Sequence, residues 1–372
     1  MCSRVKQVRD LGQSVWYDNL SRQLLLDGTL FDLISQGEIT GVTTNPAILK
    51  QAFINSNIYN PAIESLRRLS TETGTVYQAL IVEDIRLAAD LLRSIYESSG
   101  GEDGYVSVEV SPHLALDIAG TVKEAKELFM AIDRPNVLIK IPGTSSGFAA
   151  IRELIADGIN VNVTLLFSQD SYQKAALAYI EGLEKRAAQG KPLDKIASVA
   201  SYFVSRWDTL VDGMLDKAAN VHGNDAAIAM ARGKTGITLA KRAYRLYQDI
   251  TKSERWLELQ AQGAQPQRLL FASTGTKDPL YSDVYYVEEL IAPGTITTLP
   301  PKTLAAFRDH GLARSVAELD KEMENVILNQ LKNYNINLST LADKLLEDGL
   351  KSFVQSYDDM LQGLQTKEDS YL

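Results

Sequence analysis

The sequence predicts a single α/β domain, a (β/α)8 barrel of parallel strands with extra helices at its C-terminal end. Three observations lead there. Eight short apolar runs occupy the first 300 residues, each followed by a longer stretch of helical periodicity, the pattern of a parallel sheet with crossover helices. Eight such units close a barrel of roughly 250 residues, which a chain of 372 residues holds with additions. No Gly-rich turn follows the first strand, as a doubly wound open sheet would ordinarily show.

The strands are expected at Ser14–Tyr17, Gly41–Thr44, Tyr105–Val110, Asn136–Ile141, Asn160–Leu165, Ala197–Phe203, Arg268–Ser273 and Thr295–Thr298. Between them, Thr121–Ile132 reads as a helix with Thr121 as N-cap and Glu124 completing a capping box, and Ser168–Arg186 reads as another. Residues 207–262, helical and rich in Ala, Lys and Arg, read as an enlarged connection. The barrel takes up about 12–310, and 311–372 form a helical cover on the same domain. In that cover Leu338, Leu341, Leu345 and Leu346 share a helical face, and Gly349 suits a C-terminal stop before a second helix. The cover holds 6 Lys and Arg against 11 Asp and Glu. A solvated outer face is the favoured explanation, with an acidic partner-binding tail as the alternative.

Composition narrows the function classes. Lys and Arg number 38 against 47 Asp and Glu, giving a net charge of −9, and no basic run offsets it, so a nucleic-acid partner is not expected. A lone cysteine, Cys2, gives no intrachain disulfide and no cysteine-based zinc site. His113, His222 and His310 lie far apart with no metal-binding spacing, and no metal is expected. The polar N-terminus lacks a signal-peptide core, and no apolar run is long enough to cross a bilayer. A cytoplasmic chain is expected, away from membranes, and a homodimer is compatible with the sequence. Gly233-Lys-Thr lacks the upstream glycine of a P-loop, that position being Ile228.

Lys140 does not suit its surroundings, because it interrupts the apolar strand Val137-Leu-Ile-Lys-Ile-Pro142. A buried lysine is ordinarily paired or working. Desolvation disfavours the charged form of an amine, and a neutral amine is what a Schiff-base nucleophile requires. A lysine with a buried stem and a carboxylate partner explains the pattern equally well. Glu109 repeats the anomaly one strand earlier. Asp18, Asn45, Asn162, Thr164, Ser201 and Ser273 also fall late in strands or just beyond them, where barrel enzymes gather their chemistry. Together these residues describe a pocket.

Four blocks carry a resemblance to a known family. Gly41-Val-Thr-Thr-Asn-Pro-Ala-Ile48 and Val137-Leu-Ile-Lys-Ile-Pro-Gly-Thr-Ser-Ser-Gly147 resemble the two transaldolase signatures, the second carrying the Schiff-base lysine. Asn160-Val-Asn-Val-Thr-Leu-Leu-Phe-Ser168 and Ala272-Ser-Thr-Gly-Thr-Lys-Asp-Pro279 are also similar to transaldolase blocks. The likeness runs from Gln13 to Pro300 and into the C-terminal helices, in the manner of the longer bacterial and plant form.

The resemblance implies a class I aldolase barrel that needs no cofactor and acts on sugar phosphates. Lys140 would attack the C2 carbonyl of a ketose phosphate, and Glu109 would relay protons through a water held by Thr164. Asp18 would take the C4 hydroxyl proton. Asn45 and Asn162 would bind the hydroxyls of the retained dihydroxyacetone unit, and Ser201, Phe203 and Arg206 would line the pocket and hold phosphate. The implied activity is transfer of that unit from sedoheptulose 7-phosphate or fructose 6-phosphate to an aldose phosphate in the non-oxidative pentose phosphate pathway. One departure stands out. The short form has Ser-x-Arg in its seventh-strand block, and here the positions read Ser273-Thr-Gly275, leaving Lys277 as the nearest replacement cation. Two alternatives accompany this expectation: a Schiff-base aldolase that releases free dihydroxyacetone, and a barrel that binds sugar phosphates without catalysis. Glu109 favours transfer, since the related aldolases rely on other groups such as a tyrosine.

Overall fold

A computed structural model describes residues 3–69, 72–222, 226–315 and 321–369; Cys2 lies outside them. Eight strands form a closed barrel in sequence order: β1 Ser14–Asp18, β2 Gly41–Thr43, β3 Val106–Glu109, β4 Val137–Pro142, β5 Val161–Leu166, β6 Ser198–Phe203, β7 Arg268–Ala272 and β8 Ile296–Leu299. All eight pairings are parallel, with β8 closing onto β1. Every residue of β4, β5 and β6 is buried, as expected when helices cover a parallel barrel outside and side chains fill it inside. Each expected strand is present to within about one residue at either end.

Side-chain size shapes the wall locally. Trp16 sits beside Gly41 in the β1–β2 register, and a Cβ on Gly41 would come within 2.5 Å of the indole. The tryptophan is fully buried and donates through Nε1 to Asp103 at 2.8 Å.

The helices that position the later argument are α1 Pro46–Asn55, α2 Ile118–Ile132, α3 Gln169–Ala188, α4 Ser205–His222, α5 Thr235–Ile250, α6 Lys321–Asn333 and α7 Leu338–Asp369. Helix α3 starts on a capping box between Ser168 and Ser171. Helix α2 differs from the expectation. Its N-cap is Asp117, whose side chain accepts from Gly120 N, so the helix begins three residues before Thr121. Thr121 instead lies inside the helix and donates to the Leu114 carbonyl, while Glu124 accepts from Ser111 N at 2.7 Å. The stretch 207–262 becomes α4, a short helix Ala226–Ala231, α5 and Glu254–Gln260.

Gly349 is the second correction. Helix α7 runs through it without a break, because its buried face continues at helical spacing from Leu345 through Gly349 to Phe353, and a stop there would interrupt that packing. Lys50 of α1 pairs with Asp359 at 2.6 Å, and Lys367 donates to the Phe53 and Ser56 carbonyls. These contacts tie α7 to the chain just after β2, at the end of the barrel where the strands finish.

Candidate active site

The β3–β4–β5 register sets three polar residues side by side: Glu109 opposite Lys140, and Lys140 opposite Asn162. The alternation of strand side chains turns all three to one face of the wall. Lys140 is 6% exposed. Its Nζ stands 2.6 Å from Glu109 Oε1 and donates to the Thr44 carbonyl at 2.6 Å. The buried lysine is therefore a paired one.

Lys140 opens into a cavity of about 200 Å³ whose lining includes Asp18, Asn45, Thr164, Ser201, Phe203, Arg206 and Ser273. These seven residues come from β1, the β2–α1 junction, β5, β6, the start of α4 and the end of β7. Thr164 is buried, and its Oγ1 has no hydrogen-bond partner among the described residues. Asn45 is the N-cap of α1, its Oδ1 accepting from Ile48 N at 3.0 Å; this leaves Nδ2 as the group available to a ligand.

Two backbone irregularities flank the cavity. Leu165 has φ 59° where β5 slips its register with β6, and Ser273 has φ 57° directly after β7. Non-glycine residues in this region carry strain that the surroundings must hold. For Ser273 the holding contacts come from the first residue of α4. Ser205 N donates to the Ser273 carbonyl at 3.1 Å, and the two hydroxyls are 3.0 Å apart.

Burial dominates the electrostatics. It pushes the Asp18 carboxyl up to about 6 against the opposing pull of the Lys140 ammonium. It also raises Glu109 above the usual carboxylate range, opposed by Lys140 and assisted by the Asp18 charge. Two carboxylates around one ammonium thus share their countercharge. Desolvation lowers Arg206, with Asp348 of α7 opposing. The Arg206 guanidinium carbon lies 5.3 Å from the centre of the Phe203 ring, and Arg206 has no ion pair among the described residues. Lys277, on the loop after β7, is lowered by desolvation of its ammonium against the barrel rim and by the Arg206 charge. Two cations without an ion pair among the described residues therefore share this rim of the barrel.

Glu109, Asn162 and Lys277 do not line the cavity. Glu109 stands behind Lys140. Asn162 is fully buried, its Nδ2 donating to Ser107 Oγ at 3.0 Å and its Oδ1 accepting from Ser201 Oγ at 2.7 Å. Sequence reasoning missed Thr43, Thr298, Ser352 and Phe353, which also line the cavity. The first two carry the late-strand signal of the others. The last two belong to α7, and only the fold brings them over the barrel. Among the described residues no group of His, Cys, Asp or Glu could hold a metal ion, and no helix is long and apolar enough to cross a membrane.

The chain is similar to known proteins over nearly its whole length. A protein named Transaldolase 2 from a Nostoc species is 45% identical over 368 residues, covering 97% of this chain and 96% of that one. Transaldolases from Trichodesmium erythraeum and Thiobacillus denitrificans are 44% and 45% identical over 97% and 96% of the chain, and 96% and 98% of theirs. The family model for transaldolase and fructose-6-phosphate aldolase matches residues 15–364, and the chain belongs to that family.

Proposed function

We propose that this protein is a transaldolase, transferring a dihydroxyacetone unit between sugar phosphates in the non-oxidative pentose phosphate pathway. The observation that carries the reading is the buried Lys140–Glu109 pair at the edge of a small cavity that Asp18 also enters.

Each residue has a role in this chemistry. Glu109 takes a proton from the Lys140 ammonium, and the free amine adds to C2 of the ketose phosphate. The carbinolamine loses water to give the protonated imine, with Glu109 and a water at Thr164 carrying protons in and out. Asp18 accepts the C4 hydroxyl proton as the C3–C4 bond breaks. The aldose phosphate departs, and the bond's electron pair passes into the imine. The resulting enamine adds to the carbonyl carbon of the acceptor aldehyde, Asp18 returns its proton, and hydrolysis frees Lys140. An imine stores this electron pair without any other cofactor.

Asn45 binds a hydroxyl of the retained three-carbon unit through Nδ2. Asn162, engaged with Ser107 and Ser201, acts through Ser201 instead of touching substrate. Arg206 and Ser273 hold the phosphate, and Lys277 supplies a point charge where the short form has arginine, without that residue's bidentate geometry. The barrel and its helical cover work as one domain, acting in the cytoplasm.

The test separates transfer from simple cleavage. With fructose 6-phosphate alone, a transferase should stop at about one dihydroxyacetone equivalent per active site. Adding erythrose 4-phosphate should then give sedoheptulose 7-phosphate with many turnovers. Sustained release of free dihydroxyacetone without acceptor would identify an aldolase instead.

A further inference from the structure

We propose that Gly349 of α7 is a positioning residue for Arg206, through which the C-terminal helix sets the affinity of the site for phosphorylated substrates. This rests on the reading of Arg206 as a phosphate ligand.

Glycine is among the poorest helix formers, yet α7 continues unbroken through position 349. The helix itself gives no reason for glycine there; the neighbours do. A Cβ at 349 would stand 3.2 Å from Arg206 Nη1 and 2.9 Å from Leu165 Cδ2. Leu165 is held by the left-handed backbone of the β5 irregularity, so only its side chain can yield. The Arg206 guanidinium meets the Phe203 ring at 5.3 Å, and Asp348, next to Gly349 on α7, is the carboxylate that favours its charge. The guanidinium is thus bounded by the α7 backbone and by the aromatic ring that lines the cavity. One turn further along α7, Ser352 and Phe353 line the same cavity. A side chain at 349 presses on Leu165 and on the guanidinium together, and Arg206, with no ion pair among the described residues to hold it, gives way by a few tenths of an ångström.

The experiment compares two acceptors that share a carbon chain, erythrose 4-phosphate and unphosphorylated erythrose, at saturating fructose 6-phosphate. Gly349→Ala should raise KM for erythrose 4-phosphate on the order of 10-fold, a loss of about 1.4 kcal/mol. It should leave kcat within about twofold and KM for erythrose unchanged, the pattern of lost binding rather than lost chemistry. Alanine is the better helix former, which offsets the contact with Leu165, so the variant should melt close to the parent; Gly349→Ser repeats the test with a different side chain. In an Arg206→Gln background Gly349→Ala should have no further effect, since coupled residues are not additive. Equal changes for both acceptors, or a penalty that persists without Arg206, would make Gly349 a packing residue and overturn the proposal. If Arg206→Gln abolishes the preference for phosphate while Gly349→Ala leaves it intact, the proposal alone fails. If Arg206→Gln leaves the preference intact, the phosphate reading fails with it.

Discussion

Lys140 Nζ lies 2.6 Å from Glu109 Oε1, and the two residues stand directly opposite one another in the β3–β4 register. Proximity of this kind comes from backbone hydrogen bonding, so it does not depend on a loop holding its shape. A buried amine beside a carboxylate that burial has raised can pass its proton a short distance and become a nucleophile.

Removing the proton acceptor while keeping its size isolates that step. Glu109→Gln should lower kcat about 10²–10⁴-fold, the range of a general acid–base group. Lys140 should still form an imine with substrate, only more slowly. Single-turnover kinetics checks this; an unchanged rate of imine formation would move the proton relay elsewhere.

Asp18 gives a pH signature. In the proposed role of base for the C4 hydroxyl it must be ionised, and burial pushes its carboxyl up to about 6; kcat/KM should therefore fall as pH drops through about 6. The stability effect has the opposite sign from a salt-bridged carboxylate. Folding raises this pKa above its ordinary value, so the folded state binds the proton more tightly. The cost is absent below pH about 4 and complete above pH about 6, on the order of 1–3 kcal/mol. Asp18→Asn should abolish cleavage, and by urea unfolding it should stabilise the protein more at pH 8 than at pH 4.

On the proposed reading, phosphate recognition divides between Arg206 and Lys277. Lys277→Gln should raise KM for phosphorylated acceptors about 3–10-fold, and Arg206→Gln should raise it further, because a guanidinium can bond two phosphate oxygens at once. Both effects should shrink as salt rises. Equal loss for erythrose and its phosphate would remove either residue from the phosphate site.

Asn162 is a matter of stability as much as function. Asn162→Ala would leave the buried Ser107 and Ser201 hydroxyls without the amide that now joins them. A loss of about 1–3 kcal/mol is expected for stranded buried polar groups, read from urea unfolding.

What was legible in the sequence follows from how each signal arises. Buried parallel strands are continuous apolar runs, so a lysine or glutamate within one is visible without coordinates, and Lys140 and Glu109 stand out for that reason. Their contact depends on register, which sequence does not show. Helix ends were less legible. Thr121 with Glu124 looks like a capping box, but Asp117 caps α2 first, and Glu124 serves Ser111. Gly349 looks like a stop because glycine usually ends helices; here the reason for glycine lies on Arg206 and Leu165, more than 140 residues away in the chain. Ser352 and Phe353 were invisible for the same cause, since nothing in α7 itself says that it crosses the barrel mouth.

The most direct test is reductive trapping. The protein is incubated with fructose 6-phosphate, reduced with borohydride, digested, and mapped by mass spectrometry. The account predicts one reduced dihydroxyacetone adduct, on Lys140, lost in Lys140→Ala together with turnover. An adduct on another lysine, or turnover that persists in Lys140→Ala, would contradict it.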